Sequence, residues 1–300
     1  MLSVFSTSSF GAGNSGDLIL STEKLTIIEG GRVGAGTFGT GLGGDINVEA
    51  TELIEVIGAE PSQSVGSLLG ASSLGAGDAG NLTIDTTRLV VRDGGRIDSS
   101  AAATGSAGNV DIQASESIEI SGTVPGSSDP SLISSGANIE DELAQQILGL
   151  PSLPSGNAGN VTIETDVLKI TDRAEVSVVN EGLGNAGTLE IDADSIMLDN
   201  QGSLSAATRS GVGGDINLST ENVFLQGNST ATARAEGIGN CGNIRIDADN
   251  VVVLEASQVI ADAFMGMGGN IQIDTQGLII CGECQISASS RLGIDGQVNI

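Results

Sequence analysis

Residues 242–246 read Gly242-Asn243-Ile244-Arg245-Ile246, a short alternation of apolar and polar side chains that begins at a glycine. The same pattern returns along the whole chain, usually with a polar residue between the two aliphatic ones. Successive copies lie 28, 36, 28, 51, 28, 27, 28, 27 and 27 residues apart, so most spacings share one period and two contain an insertion. A fixed period of this length indicates a repeat architecture. The ten anchor glycines are Gly16, Gly44, Gly80, Gly108, Gly159, Gly187, Gly214, Gly242, Gly269 and Gly296.

Within each repeat, three short stretches alternate between apolar and polar side chains. Alternation at a period of two places the apolar members of a stretch on one face of a strand. Three strands in one repeat fit a turn of a β-helix, whereas a propeller blade needs about four strands and ~40 residues. The sequence therefore predicts an all-β fold: a right-handed parallel β-helix solenoid of about ten coils, with three short strands per coil, in a single array over residues 1–300. In the coil that begins at Gly242, the inward pairs are Ile244/Ile246, Val251/Val253 and Val259/Ala261.

Glycine and asparagine mark the turn before each first strand. Segments such as Leu183-Gly-Asn-Ala-Gly187 contain glycines at which we expect a positive φ. Asn or Asp follows the anchor glycine in eight of the ten copies. Two interpretations fit this position: a ladder of side-chain hydrogen bonds between stacked coils, or the ordinary preference of Asn and Asp for turns.

Two insertions interrupt the period, near residues 58–66 and 122–156. The second contains four of the five prolines, and residues 138–148 within it are expected to form a short helix with Asn138 as its N-cap. Insertions in repeat proteins map to loops, so each is either a binding loop or a neutral decoration. The apolar face of the predicted helix consists of Leu143, Ile147 and Leu148.

The repeat phase is incomplete at both ends of the sequence. The chain begins and ends inside a coil, and neither end carries an atypical capping repeat. A solenoid needs such repeats to cover its terminal apolar surfaces. The phase therefore predicts that the chain is a fragment of a longer array.

Acidic residues dominate the charge: 38 Asp and Glu against 11 Lys and Arg give a formal net charge of −27. Nucleic acid is not an expected partner, because phosphate binding needs a basic surface. Anionic membrane surfaces are disfavoured for the same reason. No stretch approaches the ~20 apolar residues of a transmembrane segment.

The position after the first strand carries an acid in six coils. Stacking would bring Glu164 next to Asp192 and Asp247 next to Asp274. These four are the candidate Ca²⁺ ligands, because a cation would relieve the repulsion between carboxylates ~5 Å apart. The other interpretation is a row of solvated acids that alternate with inward apolar residues, and no other cofactor is expected. The six acids are Glu49, Asp85, Glu164, Asp192, Asp247 and Asp274.

The three cysteines are Cys241, Cys281 and Cys284. Cys281 and Cys284 have CxxC spacing, but the βαβ context of a thioredoxin-like site is missing. A zinc site would need a second ligand pair, and the chain has no His. The pair therefore forms either a disulfide, if the chain is exported, or two unpaired small residues at a corner of a coil.

The repeats resemble those of filamentous haemagglutinin-like surface proteins, and most of all the large cyanobacterial variety. The resemblance rests on the Gly-Asn-Ile-x-Ile anchor, on Gly187-Thr-Leu-Glu-Ile-Asp-Ala-Asp194 and on Ser203-Leu-Ser-Ala-Ala207, and it covers the chain apart from the two insertions. It implies two-partner secretion through an outer-membrane transporter and an extracellular or cell-surface location. It also implies a structural or adhesive fibre that binds a host cell, a neighbouring cell or a polysaccharide. This sequence contains neither the secretion domain of that family nor a signal peptide, so export follows from the resemblance alone.

Catalysis is not expected, because a nucleophilic triad needs a base that His usually supplies. The alternative is a carbohydrate-active β-helix enzyme, such as a pectin lyase-like polysaccharide lyase or hydrolase, in which paired carboxylates act on a sugar. Such an enzyme would be expected to cluster acids and Arg in one groove, whereas the acids here are spread along the chain. One coil does combine three arginines with three acids, which we interpret as surface ion pairs of little energetic value. These residues are Arg88, Arg92 and Arg96 with Asp85, Asp93 and Asp98.

Overall fold

Each coil contributes one long strand and one short strand to two separate parallel sheets. The computed structural model describes residues 3–60 and 65–300. Ten strands stack in each sheet, and each pairs in parallel with the equivalent strand of the next coil. The chain is therefore a parallel β-helix of about ten coils, which confirms the predicted fold class. At the usual strand spacing, its axis is on the order of 45 Å long.

The long strands form the long-strand sheet, which supplies two sides of every coil. Its members are β2 (Leu18–Ile28), β4 (Ile46–Ile57), β8 (Leu82–Arg92), β10 (Val110–Ser121), β12 (Val161–Thr171), β14 (Leu189–Asp199), β16 (Ile216–Leu225), β18 (Ile244–Val253), β20 (Ile271–Ile280) and the short terminal β22 (Val298–Asn299).

The short strands form the short-strand sheet, which supplies the third side. Its members are β1 (Val4–Ser9), β3 (Arg32–Thr37), β7 (Leu68–Ser73), β9 (Arg96–Ala101), β11 (Leu132–Ala137), β13 (Glu175–Ser177), β15 (Ser203–Ser205), β17 (Thr230–Thr232), β19 (Gln258–Ile260) and β21 (Gln285–Ser287).

Strand β18 shows how one long strand supplies two sides of a coil. From Ile244 to Ala248 every second side chain is buried, Asp249 and Asn250 are both exposed, and Val251 resumes the buried series. Two consecutive exposed residues shift the phase of the alternation, so the strand turns a corner there. Each coil thus has the three predicted inward faces, but the first two lie on one continuous strand instead of two.

The core consists of aliphatic columns that run along the solenoid axis. Ile244 lies in register between Ile216 and Ile271, and all three expose 1% or less of their surface. Full burial of one such side chain contributes about 1.5–3 kcal/mol. Because each coil covers the inward side chains of its neighbours, the coils are stable only as a stack.

Close contact between coils, and not positive φ, explains the anchor glycines. The described glycines with positive φ lie at seven positions, and none of them is an anchor. The expectation of positive φ in these turns is therefore wrong. At Gly242, a Cβ atom would collide with the carbonyl oxygen of Gly214 in the preceding coil, and Gly269 is related to Gly242 in the same way. At the anchors from Gly44 onward, any side chain would push two coils apart.

The predicted insertion at 122–156 is two loops separated by a strand. Strand β11 pairs with both β9 and β13, so the chain returns to the solenoid within this segment. Ile133 occupies the inward position and is fully buried. The first loop, residues 122–131, leaves at the corner before β11, and the second, residues 138–155, leaves after it.

The insertion near 58–66 leaves the solenoid at the equivalent corner, before β7. Its ends form an antiparallel pair, β5 (Ala59–Glu60) with β6 (Val65–Gly66). Residues 61–64 of this insertion lie outside the described residues.

The helix in the second insertion, α1 (Glu142–Leu148), begins later than predicted. Its N-cap is Asp141, whose carboxylate accepts the N–H groups of Leu143 and Ala144, both at 2.9 Å. Asn138 does not cap the helix, because it lies three residues before the N-cap, directly after β11, where its N–H donates to the Ala101 carbonyl at 2.9 Å. In the described part of the chain, no helix has the length and apolar character needed to cross a membrane.

Candidate functional site

Parallel register stacks the six predicted acids in one exposed column on the outside of the long-strand sheet. Gln113 interrupts the column between Asp85 and Glu164, and Ser219 interrupts it between Asp192 and Asp247. The pairs of acids in register are Glu49–Asp85, Glu164–Asp192 and Asp247–Asp274.

A groove of about 420 Å³ runs beside the first part of this column, where the long strands turn their corner. We name it the acidic groove. Buried Ala and Thr residues lie along its floor, including Thr165. One wall consists of Glu49, Asp85, Gln113, Glu164 and Asp192. The opposite wall consists of Thr51, Thr87, Ser115, Asp166 and Asp194.

Six carboxylates line the acidic groove, and none of its lining residues is basic. Carboxylates one coil apart repel by about 1 kcal/mol in water. Only part of this charge is compensated by hydrogen bonding: the Gln113 amide donates to Glu164 Oε2 at 3.2 Å. The acidic groove is therefore suited to ammonium groups, metal cations and hydroxyl-rich ligands, and it disfavours anions.

The pair Asp247–Asp274 lies outside the acidic groove and already has a cationic partner. Arg245 Nη2 is 3.3 Å from Asp274 Oδ2 and 3.9 Å from Asp247 Oδ2. The Gln272 amide also donates to Asp274, at 2.9 Å. Within residues 3–60 and 65–300, no group of three or more metal-ligating side chains is arranged to hold an ion. The register thus brings the predicted Ca²⁺ ligands together in pairs, and among the described residues neither pair gains a third His, Cys, Asp or Glu ligand.

The predicted side-chain ladder is present after the anchor glycines. Asn243 Oδ1 accepts the N–H of Asn270 at 3.0 Å, and Asp215 Oδ1 accepts the N–H of Asn243 at 2.6 Å. Each exposed side chain therefore satisfies a backbone donor of the next coil. The rungs join Asp17–Asp45, Asp45–Asn81, Asn81–Asn109, Asn109–Asn160, Asn160–Thr188, Asp215–Asn243, Asn243–Asn270 and Asn270–Gln297.

A second ladder, which the sequence analysis missed, lies two residues before the anchor glycines. Its signal was visible as an Asn, Asp or Ser at this position in several repeats. Both ladders join the same turn of each coil to the next coil, so this edge of the solenoid is hydrogen-bonded through side chains and backbone together. The second set of rungs joins Asn14–Leu42, Asp78–Ser106, Ser106–Asn157, Asn157–Asn185, Asn185–Val212 and Asn240–Met267.

Two of the three arginines predicted to form surface pairs do so. Arg88 Nε lies 4.0 Å from Glu116 in the next coil, and not beside Asp85. Arg92 Nε lies 3.9 Å from the exposed Asp93. Such exposed pairs contribute at most about 1 kcal/mol.

The third pair, Arg96 with Asp98, is not a surface pair. Asp98 exposes only 7% of its surface, and its Oδ2 lies 3.4 Å from Arg96 Nη2. Burial raises the pKa of the Asp98 carboxyl, and the Arg96 guanidinium opposes that shift. Burial also raises the pKa values of Glu175 and of Glu140 in the second insertion. The sequence analysis missed Glu140 and Glu175, because no motif links them to Asp98.

Cys281 and Cys284 are joined by a disulfide that spans the turn at Gly282 and Glu283. Cys241 is free, and only 8% of its surface is exposed. Burial raises the pKa of the Cys241 thiol to about 11, and the Ala235 N–H donates to its sulfur at 3.2 Å. Because the thiolate is the reactive form, Cys241 is a packing residue at neutral pH.

Comparison of the chain with protein-family models, with curated proteins and with solved structures gives no match.

Proposed function

We propose that this chain is a structural and adhesive segment of an exported bacterial surface fibre and that it has no catalytic activity. The observation that carries the proposal is the acidic groove, in which five successive coils each place polar side chains on both walls and four of the five contribute a carboxylate. A surface built by repetition presents many equivalent weak contacts to an extended ligand. Linked weak contacts give strong retention without any single tight site.

The solenoid itself supports a mechanical role. Backbone hydrogen bonds join every coil to the next in two sheets, and the side-chain ladders add bonds along a third edge. Separating two coils would break all of these bonds together and expose the aliphatic columns to water. Such an array suits a stiff spacer that holds a binding surface away from a cell.

The chemistry of the acidic groove favours adhesion through cations. Glu164 and Asp192 face the same side one coil apart, and two carboxylates leave most of the coordination positions of Ca²⁺ open. An acidic polysaccharide can supply the remaining oxygen ligands. In this proposal Ca²⁺ is not a resident cofactor, and it bridges the acidic groove to a polysaccharide on a host or neighbouring cell.

Export rests on the family resemblance and is supported by the disulfide between Cys281 and Cys284, since disulfides persist in oxidising compartments. The proposed location is the cell surface or the extracellular space, and the proposed export partner is an outer-membrane transporter. Mass spectrometry of chain secreted from its natural host, before and after reduction, should show two additional hydrogens only after reduction.

Bead retention under flow tests the proposed adhesion. Beads coated with the chain are passed over polygalacturonate and over neutral dextran, with millimolar Ca²⁺ or with a chelator. We expect retention on polygalacturonate only with Ca²⁺, and a large loss for the variant E164Q/D192N. The matched control E190Q/D111N removes the same charge from two residues outside the acidic groove and should keep full retention.

Two results would contradict the proposal. Retention that does not depend on Ca²⁺ or on Glu164 and Asp192 would remove the acidic groove from the binding surface. Release of reducing or unsaturated sugar ends from polygalacturonate would support the polysaccharide lyase or hydrolase alternative.

A further inference from the structure

The outer face of the short-strand sheet carries an unusual patch at β7, β9 and β11. Leu68, Arg96 and Leu132 stand in register at an outward position. The equivalent residues of later coils, Ser203, Thr230 and Gln258, are polar. Both leucines are only partly exposed, so other parts of the chain shield this face from water.

Asp98 is the buried centre of this patch. Its neighbours in register are Gly70 and Ser134, which are too small to cover a carboxylate. Asp98 nevertheless exposes only 7% of its surface. Its Oδ1 atom is fully buried and has no hydrogen-bond partner among the described residues. A buried carboxylate oxygen without a partner is costly when the group is charged.

Residues 138–140, at the start of the second loop, lie against the same face. A Cβ atom at the outward-facing Gly136 would meet Asn138 Oδ1 at 2.8 Å, so the start of this segment folds over β11. The Ile139 N–H donates to Glu181 at 2.7 Å. Glu140 is half-buried, and after burial the nearby charges of Asp141 and Asp98 raise its pKa further. The segment therefore carries a carboxylate within electrostatic reach of Asp98.

We propose that residues 138–150 form a proton-dependent flap, which is held against the patch while Asp98 is protonated and is loosened when Asp98 ionises. The protonated carboxyl is neutral and needs no charged partner. The ionised form places under the flap a buried charge, one oxygen of which has no hydrogen-bond partner among the described residues, and it repels Glu140. Ionisation of Asp98 therefore weakens the contact between the flap and the patch in two ways, through the buried charge and through repulsion of Glu140.

Both basic and acidic side chains lie near Asp98. Arg96 on the same strand and Arg32 on β3 favour its ionised form. Glu140 and Asp141 on the flap, Glu175 on β13 and Glu181 after β13 form the acidic side of this surface. Burial of Asp98 outweighs the two arginines and the hydrogen bond with the Ser100 side chain, so its pKa lies above the ordinary value of 3.8.

The flap can move without unfolding the solenoid. The loop that contains the flap, residues 138–155, is held at its two ends by backbone hydrogen bonds, from Asn138 to Ala101 at 2.9 Å and from Ser155 to Ala103 at 2.8 Å. Between these ends, helix α1 buries no residue. The expected motion thus breaks few contacts and uncovers Asp98, Ser134 and Ser177, each at least nine-tenths buried.

A single tryptophan provides the measurement, because the chain has no Trp and no Tyr. Leu150→Trp places the probe on the partly buried end of the flap. Acrylamide quenching of the full chain is followed from about pH 4 to about pH 8, with circular dichroism confirming that the solenoid stays folded. We expect quenching to increase with pH in one transition, whose midpoint lies above 3.8.

Three variants in the Leu150→Trp background test the assignment. Asp98→Asn should abolish the transition and keep the probe protected at the highest pH. Asp93→Asn, at an exposed acid of the same coil, should leave the transition unchanged. Glu140→Gln changes only the flap and should reduce the amplitude, which keeps the test decisive if Asp98→Asn does not fold. A transition that is absent, or that survives both Asp98→Asn and Glu140→Gln, would overturn the proposal.

Discussion

The side chain after each anchor glycine links two coils with one short bond. Asn and Asp suit this position because their oxygen reaches the backbone N–H of the next coil, as in the 3.0 Å bond from Asn270 to Asn243. A hydrogen bond of this kind contributes about 0.5–1.5 kcal/mol. Thr188 stands at the equivalent position between Asn160 and Asp215, and the rungs described above skip the step from Thr188 to Asp215. The side chain of Thr188 is shorter than that of Asn, and it has no amide oxygen to accept the N–H of Asp215.

Thr188→Asn should therefore extend the ladder and stabilise the chain. The new amide oxygen would accept the N–H of Asp215, as Asn243 does for Asn270. We expect the free energy of unfolding to rise by about 0.5–1 kcal/mol, measured as a shift of the urea midpoint. Thr188→Val, which offers no acceptor, is the control. Equal midpoints for the two variants would show that the missing rung has no energetic value.

The side-chain hydroxyl of Thr165 lowers the free energy of unfolding. Its hydroxyl is buried without a hydrogen-bond partner in the described part of the chain, and its neighbours in register are Ala114 and Ala193. Thr86 occupies the equivalent position two coils earlier, but its hydroxyl donates to the Arg88 carbonyl at 3.3 Å. The same residue type thus has opposite effects at two equivalent positions.

Thr165→Val should raise the free energy of unfolding by about 1–2 kcal/mol, because it replaces an unpaired buried hydroxyl with a methyl group of similar size. Thr86→Val should be neutral or destabilising, because it removes a bond that exists. Urea unfolding of both variants checks this difference. A stabilised Thr86→Val together with an unchanged Thr165→Val would refute the explanation.

Among the structural elements, the backbone of each turn is constrained by contact with the equivalent turn of the preceding coil. The anchor glycine brings its backbone so close to the preceding carbonyl that a Cβ atom has no room. These glycines are visible in the sequence, but the chemistry of a single turn suggests positive φ as the reason for them. The contact that requires glycine joins residues about 27 positions apart in sequence, and only the stacked structure shows it.

Gly242→Ala should therefore disrupt the stack locally. The added methyl group would overlap the Gly214 carbonyl, and we expect a loss of about 1–3 kcal/mol from overpacking. Gly282→Ala is the matched control, because a Cβ atom there meets nothing within 4 Å. Thermal unfolding followed by circular dichroism gives both values. Similar melting temperatures for the two variants would contradict the steric argument.

At the scale of the whole molecule, charge opposes folding. The net charge of −27 is spread along one narrow solenoid, and self-repulsion destabilises a compact state. Burial raises the pKa values of Asp98, Glu140 and Glu175 in the folded chain. An acid with a raised pKa stabilises the fold below its ordinary pKa, and this contribution is lost as the pH rises through the raised value. Glu55, whose pKa is lowered by its bond to Lys24, has the opposite but weaker effect, because Lys24 is half-exposed and solvent screens the pair.

The melting temperature should therefore fall as the pH rises from about 4 to about 7. Added salt should recover the part of this loss in melting temperature that comes from repulsion between exposed charges. Salt at about 0.1 M largely screens exposed charges that are more than about 10 Å apart. The Asp98 carboxyl is buried, so salt should not remove its contribution to this loss. In high salt, the melting temperature of Asp98→Asn should therefore fall less with pH than that of the unmodified chain. Differential scanning calorimetry across pH and salt measures both parts. A melting temperature that increases with pH would contradict the assigned directions.

The fold could be predicted because its period is local and is repeated many times. Alternating aliphatic residues, the constant spacing and the polar residue after each anchor glycine each recur often enough to outweigh local exceptions. Strand β11 was not predicted, because prolines on both sides of it and a helix-like segment after it suggested one long insertion. The acid column was predicted from the repeat phase, whereas the opposite wall of the acidic groove was not, because it depends on where the long strand turns.

The repeat unit, the parallel stacking and the inward residues followed from the sequence, since each comes from a pattern that every coil repeats. The structure was needed to choose the ladder over an ordinary turn preference, and to show that two sides of a coil share one strand and that steric contact between coils requires the anchor glycines. It also placed a buried carboxylate beneath the second insertion. The physical reason is common to these cases: each depends on atoms that are one coil or more apart in sequence and a few ångströms apart in space.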